Sequence, residues 1–244
     1  MEMLLNLQRS GTSTTITSES LADYGLDGVD CAICGNKGQI AYYRDGVLYS
    51  RECECMNRRR SLRRIKNSGM IDLFSRYTFD SYKPVDAERK KIKAMAGKFA
   101  ADSNGWFYIS GKSGSGKTHI CTAICEKMIE QNRDVYYMAW RDESRTLKGL
   151  MNTDEIEAPL NRLKKVAVLY IDDFLKGGAS DADIRLAFEI INSRYNNSAL
   201  RTIISTEMSI EDLLSVDEAL GGRIYERSKG YMIKAPNENF RLRG

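Results

Sequence analysis

The sequence predicts an α/β fold, a parallel sheet flanked by helices, with a small cysteine-rich module ahead of it. Three observations carry that expectation. From Trp106 onward, short apolar β-favouring runs alternate with stretches of helical periodicity. One of those runs, VAVLYI from Val166, is apolar without alternation, as a central strand covered on both faces requires. Four of the six cysteines fall between Cys31 and Cys55, in the pairs CAIC and CEC.

At 244 residues the chain is long enough for one sizeable core and a small accessory module. Its 37 basic and 33 acidic residues nearly balance, so local clusters must carry any argument for a polyanion partner. No run approaches the ~20 apolar residues of a membrane span. The apolar patch in MEMLLNLQRS is too short for a secretory signal. A cytoplasmic protein without a membrane partner is expected, with cysteines reduced or metal-bound.

Residues 1–30 read as a flexible N-terminal segment, with short helices possible near its start and near Leu21 and TSTTITSES as linker. Residues 31–68 read as a metal module and a basic helix. Two thiolates on a tight turn, a hairpin signalled by Asp45-Gly46 and two more thiolates enclose a tetrahedral soft-ligand site of Cys31, Cys34, Cys53 and Cys55. Zinc suits that set; an iron–sulfur cluster or unrelated thiols are the alternatives. Arg58 to Lys66 places six basic residues in nine, either a solvated face or a contact for nucleic acid or an acidic partner.

Residues 69–244 read as one nucleotide-binding domain. Gly69 ends the basic helix, Pro84 delays the next, and Asp86 to Asp102 forms a helix that buries Ile92, Met95, Ala96 and Phe99. WFYIS, GKSGSGKT and HICTAICEKMIEQN then give strand, glycine-rich loop and helix. In that context the loop N–H groups converge on phosphate oxygens. Gly111, Ser113, Gly114, Ser115 and Gly116 line the loop, Lys117 reaches the β- and γ-phosphates, and Thr118 takes a position on magnesium. Asp172 and Asp173 end the buried strand, at the edge where open α/β sheets bind ligands. Asp172 is expected to hold magnesium and Asp173 to polarise the attacking water. His119 reads as incidental, and Cys121 and Cys125 as packed helix residues.

Further strands are expected at Val135–Ala139, Arg201–Thr206 and Gly230–Lys234. Asp181 is read as the N-cap of a helix with a buried stripe of Ile184, Ala187, Phe188, Ile191 and Tyr195, and Ser209 as the cap of another. Gly221-Gly222 is read as a break before a short helix that carries Arg223 and Arg227. Trp140, Arg141, Arg145 and Lys148 combine a stacking ring with backbone-neutralising charge, a candidate single-stranded DNA contact.

GKSGSGKT, VLYIDDF, GGRIYER and the NENFR-like close together resemble AAA+ ATPases of the DnaC/DnaI helicase-loader type, relatives of DnaA and of the IstB transposition helpers. The cysteine module, "SGM" and "TFDSY" look like the variant seen in prophage and Gram-positive loaders. The resemblance implies ATP/ADP, self-association into a ring or spiral, single-stranded DNA and a hexameric replicative helicase as partners, with the cysteine module and basic helix gripping the helicase. It implies that Arg223 serves as an arginine finger, Arg241 as the sensor-2 arginine, and Thr206 with Glu207 as the sensor-1 position. Glu207 departs from the Asn expected there. The rival readings are an IstB-type transposition helper, an ATP-binding regulatory module with little turnover, and a zinc-containing adaptor.

Overall fold

The computed structural model describes residues 29–239; the expectations for the N-terminal segment before them and for Arg241 lie outside that range. The chain divides into two compact units between Met56 and Asn57. The first is built on the antiparallel hairpin of β1 (Gln39–Arg44) and β2 (Val47–Glu52). Asp45 and Gly46 join the strands with φ of 51° and 76°. Two consecutive positive φ values are what a two-residue hairpin turn with the strands' own twist demands. Ahead of it, Asn36 Oδ1 accepts from Cys31 N at 2.8 Å and Lys37 N donates to Cys34 O at 3.1 Å, which folds CAIC into a knuckle. Cys53 N donates to Gly38 O at 2.9 Å, and this bond sets the two cysteine pairs side by side.

Helix α1 (Cys55–Asn67) opens at the last of these cysteines and continues into the second unit. It is followed in the chain by α2 (Ile71–Arg76), α3 (Ala87–Ala101), β3 (Phe107–Ser110), α4 (Lys117–Glu130), β4 (Val135–Ala139) and α5 (Trp140–Leu150). After one 3-10 turn follow α6 (Glu157–Lys165), β5 (Val168–Asp172), α7 (Asp181–Tyr195), β6 (Arg201–Thr206), α8 (Ile210–Val216), α9 (Glu218–Ser228) and β7 (Met232–Lys234). The five strands of this unit pair in parallel in the order β4-β5-β6-β3-β7. The strand before the glycine-rich loop therefore lies inside the sheet, between β6 and β7. Residues of β5 alternate between two cores: Leu169 and Ile171 pack with α5, α6, α7 and α9, while Val168 and Tyr170 pack with α3 and α4. Every residue of β5 is buried, as its unbroken apolar run requires.

The basic helix is not one free cationic face. Arg59 is buried, and Arg64 reaches Asp134 and, at 2.8 Å, Val135 O. Ser61 Oγ accepts from Val135 N at 2.8 Å. These bonds satisfy backbone groups of β4, the strand at the end of the sheet, which would otherwise offer an unpaired edge. Helix α2 also lies in a segment that reads as punctuation in the sequence; it is short and anchored by one buried ring, Phe74.

Helix α7 corrects the reading of its cap and stripe. Ser180 is the N-cap, in a reciprocal capping box with Asp183, so Asp181 sits in the first turn. The buried residues are Asp183, Leu186, Ala187, Ile190, Ile191 and Arg194, while Ile184, Phe188 and Tyr195 are only partly covered. Arg194 can be buried because its guanidinium finds acceptors inside: Thr202 Oγ1 at 3.0 Å and the carbonyls of Leu163, Val166 and Arg201 at 2.6–2.9 Å. Burial without a carboxylate partner brings its pKa down to about 9.

Gly221 and Gly222 do not break the chain; both lie inside α9, which Asp217 caps. A Cβ on Gly221 would come within 2.9 Å of the Leu214 backbone, whereas one on Gly222 would meet nothing. The neighbouring glycines therefore have opposite expectations. Gly221→Ala should destabilise the fold by about 1–3 kcal/mol through forced separation of α8 and α9. Gly222→Ala should stabilise it by up to ~1 kcal/mol through helix propensity. Urea unfolding of both variants checks this, and equal signs would contradict the packing.

Candidate nucleotide site and cysteine cluster

The loop between β3 and α4 turns on glycines with positive φ: 150° at Gly111, 78° at Gly114 and 92° at Gly116. At Gly111 a Cβ would stand 3.0 Å from that of Ala235, so the close passage of the chain after β7 also excludes a side chain there. Gly111 N donates to Thr206 O and Ala235 N to Ser110 O, which ties the start of the loop to both neighbouring strands. Lys117 Nζ donates to Gly111 O at 2.7 Å and Lys112 O at 3.0 Å, so the loop curls around its own lysine. Burial lowers the Lys117 pKa, against the opposing pull of Asp173, Glu207 and Asp172. Ser115 Oγ is buried with no hydrogen-bond partner among the described residues, a polar atom that a ligand oxygen would satisfy. Ser113 is exposed at the loop's crest.

Asp172 is the meeting point of four donors. Thr118 Oγ1 lies 3.2 Å and Tyr170 OH 2.7 Å from Oδ1, Ser205 Oγ reaches the same oxygen, and Tyr137 OH is 3.1 Å from Oδ2. Burial raises the pKa of both tyrosines, and the Asp172 charge raises it further, so both are donors at neutral pH. The pairing of Thr118 and Asp172 oxygens beside a phosphate loop is a hard donor set of the kind magnesium takes.

Asp173 lies one residue past β5 at φ 53°, and Leu175 follows at 55°. Between them Phe174 N donates to Ser205 O at 2.8 Å, and after them Lys176 N returns to Asp173 O at 3.0 Å. The turn is held from below, where Phe174 is buried edge-on against Trp140 with ring centroids 4.9 Å apart. Lys176 Nζ thus bridges Asp173 Oδ2 and Glu207 Oε1, each at 3.0 Å. Burial pulls the Lys176 pKa down, but the two carboxylates outweigh it and hold it above the ordinary lysine value.

Two expectations are corrected here. Trp140 is 2% exposed and belongs to the core, so it offers no stacking face to DNA. Lys148 is 2.5 Å from Asp183, which leaves Arg141 and Arg145 as the exposed cations of α5. Thr206 donates its hydroxyl to Phe174 O at 2.8 Å and accepts from Met208 N at 3.1 Å, so no donor remains for a phosphate. Ser205 faces Asp172 in its place. Sequence reasoning missed Ser205, Tyr137, Tyr170 and Lys176; strand alternation in VLYID and RTIIST puts Tyr170 and Ser205 on the Asp172 side only once the register is known. His119 is also more engaged than expected, stacked on Tyr77 at 4.6 Å with Nε2 2.9 Å from Ser81 Oγ. Arg223 binds Asn192 Oδ1 at 2.9 Å and Ala219 O at 2.8 Å and lies over the Phe188 ring, on α7 and α9.

The four cysteines of the first unit converge. Cys31 Sγ is 3.8 Å from Cys53 Sγ, Cys34 Sγ is 3.6 Å from Cys55 Sγ, and all four sulfurs lie within 4.8 Å of one another. A tetrahedron with metal–sulfur bonds of about 2.3 Å has edges of about 3.8 Å, so the set fits a single zinc ion. The Cys34 backbone N–H beside the Cys31 thiol brings its pKa down to about 7.

A family model described as "IstB-like ATP binding protein" matches residues 41–243. The phage-like element PBSX protein XkdC of Bacillus subtilis (strain 168) is 28% identical over 100% of this chain and 97% of its own length. The uncharacterized protein YqaM of the same organism is 30% identical over 80% of this chain, and the match spans 66% of its own length. The replicative helicase loader DnaC of Escherichia coli (strain K12) is 26% identical over 75% of this chain and 76% of its own. The crystal structure of the DnaC helicase loader superposes with a TM-score of 0.61 at 26% identity, over 67% of this chain and 99% of that one. The crystal structure of DnaI shares the fold, with a TM-score of 0.58 at 22% identity over 70% and 93%.

The cysteine geometry generates a direct expectation. Purified protein should carry about one zinc per chain, and Cys53→Ser with Cys55→Ser should release it and unfold the first unit, whose hairpin is exposed and nearly coreless. Metal analysis with circular dichroism checks both; full zinc retention by the double variant would contradict the site.

Proposed function

Since the chain belongs to the IstB-like ATP-binding protein family of AAA+ ATPases, we propose that it hydrolyses ATP to load a hexameric replicative helicase onto single-stranded DNA in the cytoplasm. The likeness to DnaC carries this reading: 99% of that helicase loader's chain is covered at 26% identity. In this assignment Gly111 to Gly116 cradle the phosphates, Lys117 neutralises the β- and γ-phosphates, and Asp173 orients and deprotonates water for in-line attack. Magnesium, held by Thr118 and Asp172, would neutralise phosphate charge when bound. Arg223 and Arg241 are the proposed cationic contributors from a neighbouring subunit and from the chain's C-terminal end.

The exposed hairpin supports a partner-binding role for the residue 31–68 module. Ile33, Tyr42, Tyr43, Val47 and Tyr49 all stand open to solvent, an apolar display that a folded unit retains at a cost in solubility. The helicase is its proposed partner, and the exposed Arg141 and Arg145 of α5 are the proposed DNA contact. The family description keeps one second reading, a transposition helper of the IstB type that acts on duplex DNA.

Native mass measurement of the protein mixed with ATP and a replicative helicase of its host should show a stable complex, and DNA delivery should follow on single-stranded substrate. No helicase complex, together with preference for duplex DNA, would favour the transposition reading instead. Self-association through the nucleotide site has its own test. Lys117→Ala and Arg223→Ala should each be inactive in hydrolysis yet recover partial activity when mixed, because the Lys117→Ala subunit can still donate Arg223 to an intact loop. Two proteins that co-assemble and stay inactive would contradict a trans arginine.

A further inference from the structure

Three carboxylates and two ammonium groups crowd the mouth of the glycine-rich loop: Asp172, Asp173, Glu207, Lys117 and Lys176. Lys117 lies within electrostatic range of the other four. An acidic Glu207 at this edge would repel the terminal phosphate of a nucleotide if it stood alone. It does not, because Lys176 Nζ spans 3.0 Å to Glu207 and 3.0 Å to Asp173. Those two contacts engage two of its three N–H groups and leave a third donor. The lysine is also held in place. Its backbone N closes the turn onto Asp173 O, two non-glycine residues adopt positive φ to form that turn, and Phe174 and Leu175 bury their side chains beneath it.

Resting on the ATPase reading and refining it, we propose that Lys176 is a γ-phosphate contact that lets this chain distinguish ATP from ADP, with Glu207 as the residue that holds it. The terminal phosphate lies between the Lys117 ammonium and the Asp173 carboxylate if that acid activates the attacking water. Lys176 borders the same space and supplies the positive charge that Asp173 and Glu207 would otherwise remove from it. On this reading a β-phosphate alone, cradled by the loop and Lys117, makes no contact with Lys176. Glu207 is thereby explained at a position where its charge alone would oppose the ligand: it fixes the lysine and does not touch the phosphate.

The test uses the full chain and fluorescent derivatives of ATP and ADP, titrated with magnesium present. Lys176→Ala should weaken ATP by about 10-fold or more, as loss of a charge-assisted hydrogen bond implies, and leave ADP within about twofold. Lys176→Arg should restore most of the preference. The double variant Lys176→Ala with Glu207→Gln should stay weak for ATP, because the donor is still missing. Its recovery to wild-type affinity would overturn the contact and reduce Lys176 to a mask for Glu207. Equal losses for ATP and ADP would mark a merely structural lysine, and no loss would remove the role. Thermal unfolding checks that each variant folds, and Lys176→Met, which retains much of the apolar stem, takes the place of Lys176→Ala if that variant does not. A wild-type chain that binds neither nucleotide would overturn the nucleotide site itself, an outcome separate from failure at Lys176.

Discussion

The nucleotide side of this molecule depends on one buried carboxylate. Asp172 is 8% exposed, and a charge so placed is tolerated only where donors replace the lost water. Thr118 on α4, Tyr137 on β4, Tyr170 on β5 and Ser205 on β6 provide them. The requirement to satisfy Asp172 therefore fixes the relative height of three neighbouring strands and of the helix that carries the phosphate loop. Their parallel register brings all of these groups to the carboxyl edge of the sheet.

Above that edge, the turn from Asp173 to Lys176 is supported by residues that look functional in isolation. Trp140 packs its ring on Phe174, and Thr206 takes the Phe174 carbonyl as acceptor. Neither is positioned to meet a ligand; both hold the turn in a backbone conformation that non-glycine residues adopt only under constraint. Strain at Asp173 and Leu175 is thus balanced by burial of Phe174 and Leu175, and the two charged side chains of the turn are pinned as a result. The positions of Asp173 and Lys176 depend on these supports.

The cysteine unit follows a different logic. Its hairpin is exposed on both strands, and Cys34, Cys53 and Cys55 are among its few buried described residues, so a metal held by the four thiols would take the place of a hydrophobic core there. This leaves the aromatic side chains of the hairpin free for contacts outside the unit. The second unit behaves oppositely, with two layers of buried side chains on either side of the sheet and the arginines Arg194 and Arg201 used as internal fasteners for backbone carbonyls.

Legible in the amino-acid order alone are the strand–loop–helix around GKSGSGKT, the strands at Val135–Ala139 and Arg201–Thr206, the Ser209 cap and the convergence of two cysteine pairs on a hairpin. These are set by local rules: periodicity, capping chemistry, glycine placement and turn geometry act over a few residues and can be read where they stand. Which polar and aromatic residues face the site depends instead on long-range packing. Trp140 and Lys148 look like a nucleic-acid contact in sequence, yet Phe174 and Asp183, distant along the chain, claim them. Gly221 looks like a helix breaker until the Leu214 backbone is found where its side chain would be. Ser205 and Lys176 carry no motif at all. Their positions follow from strand register and from a turn closed between two strands, and neither is a property of neighbouring residues.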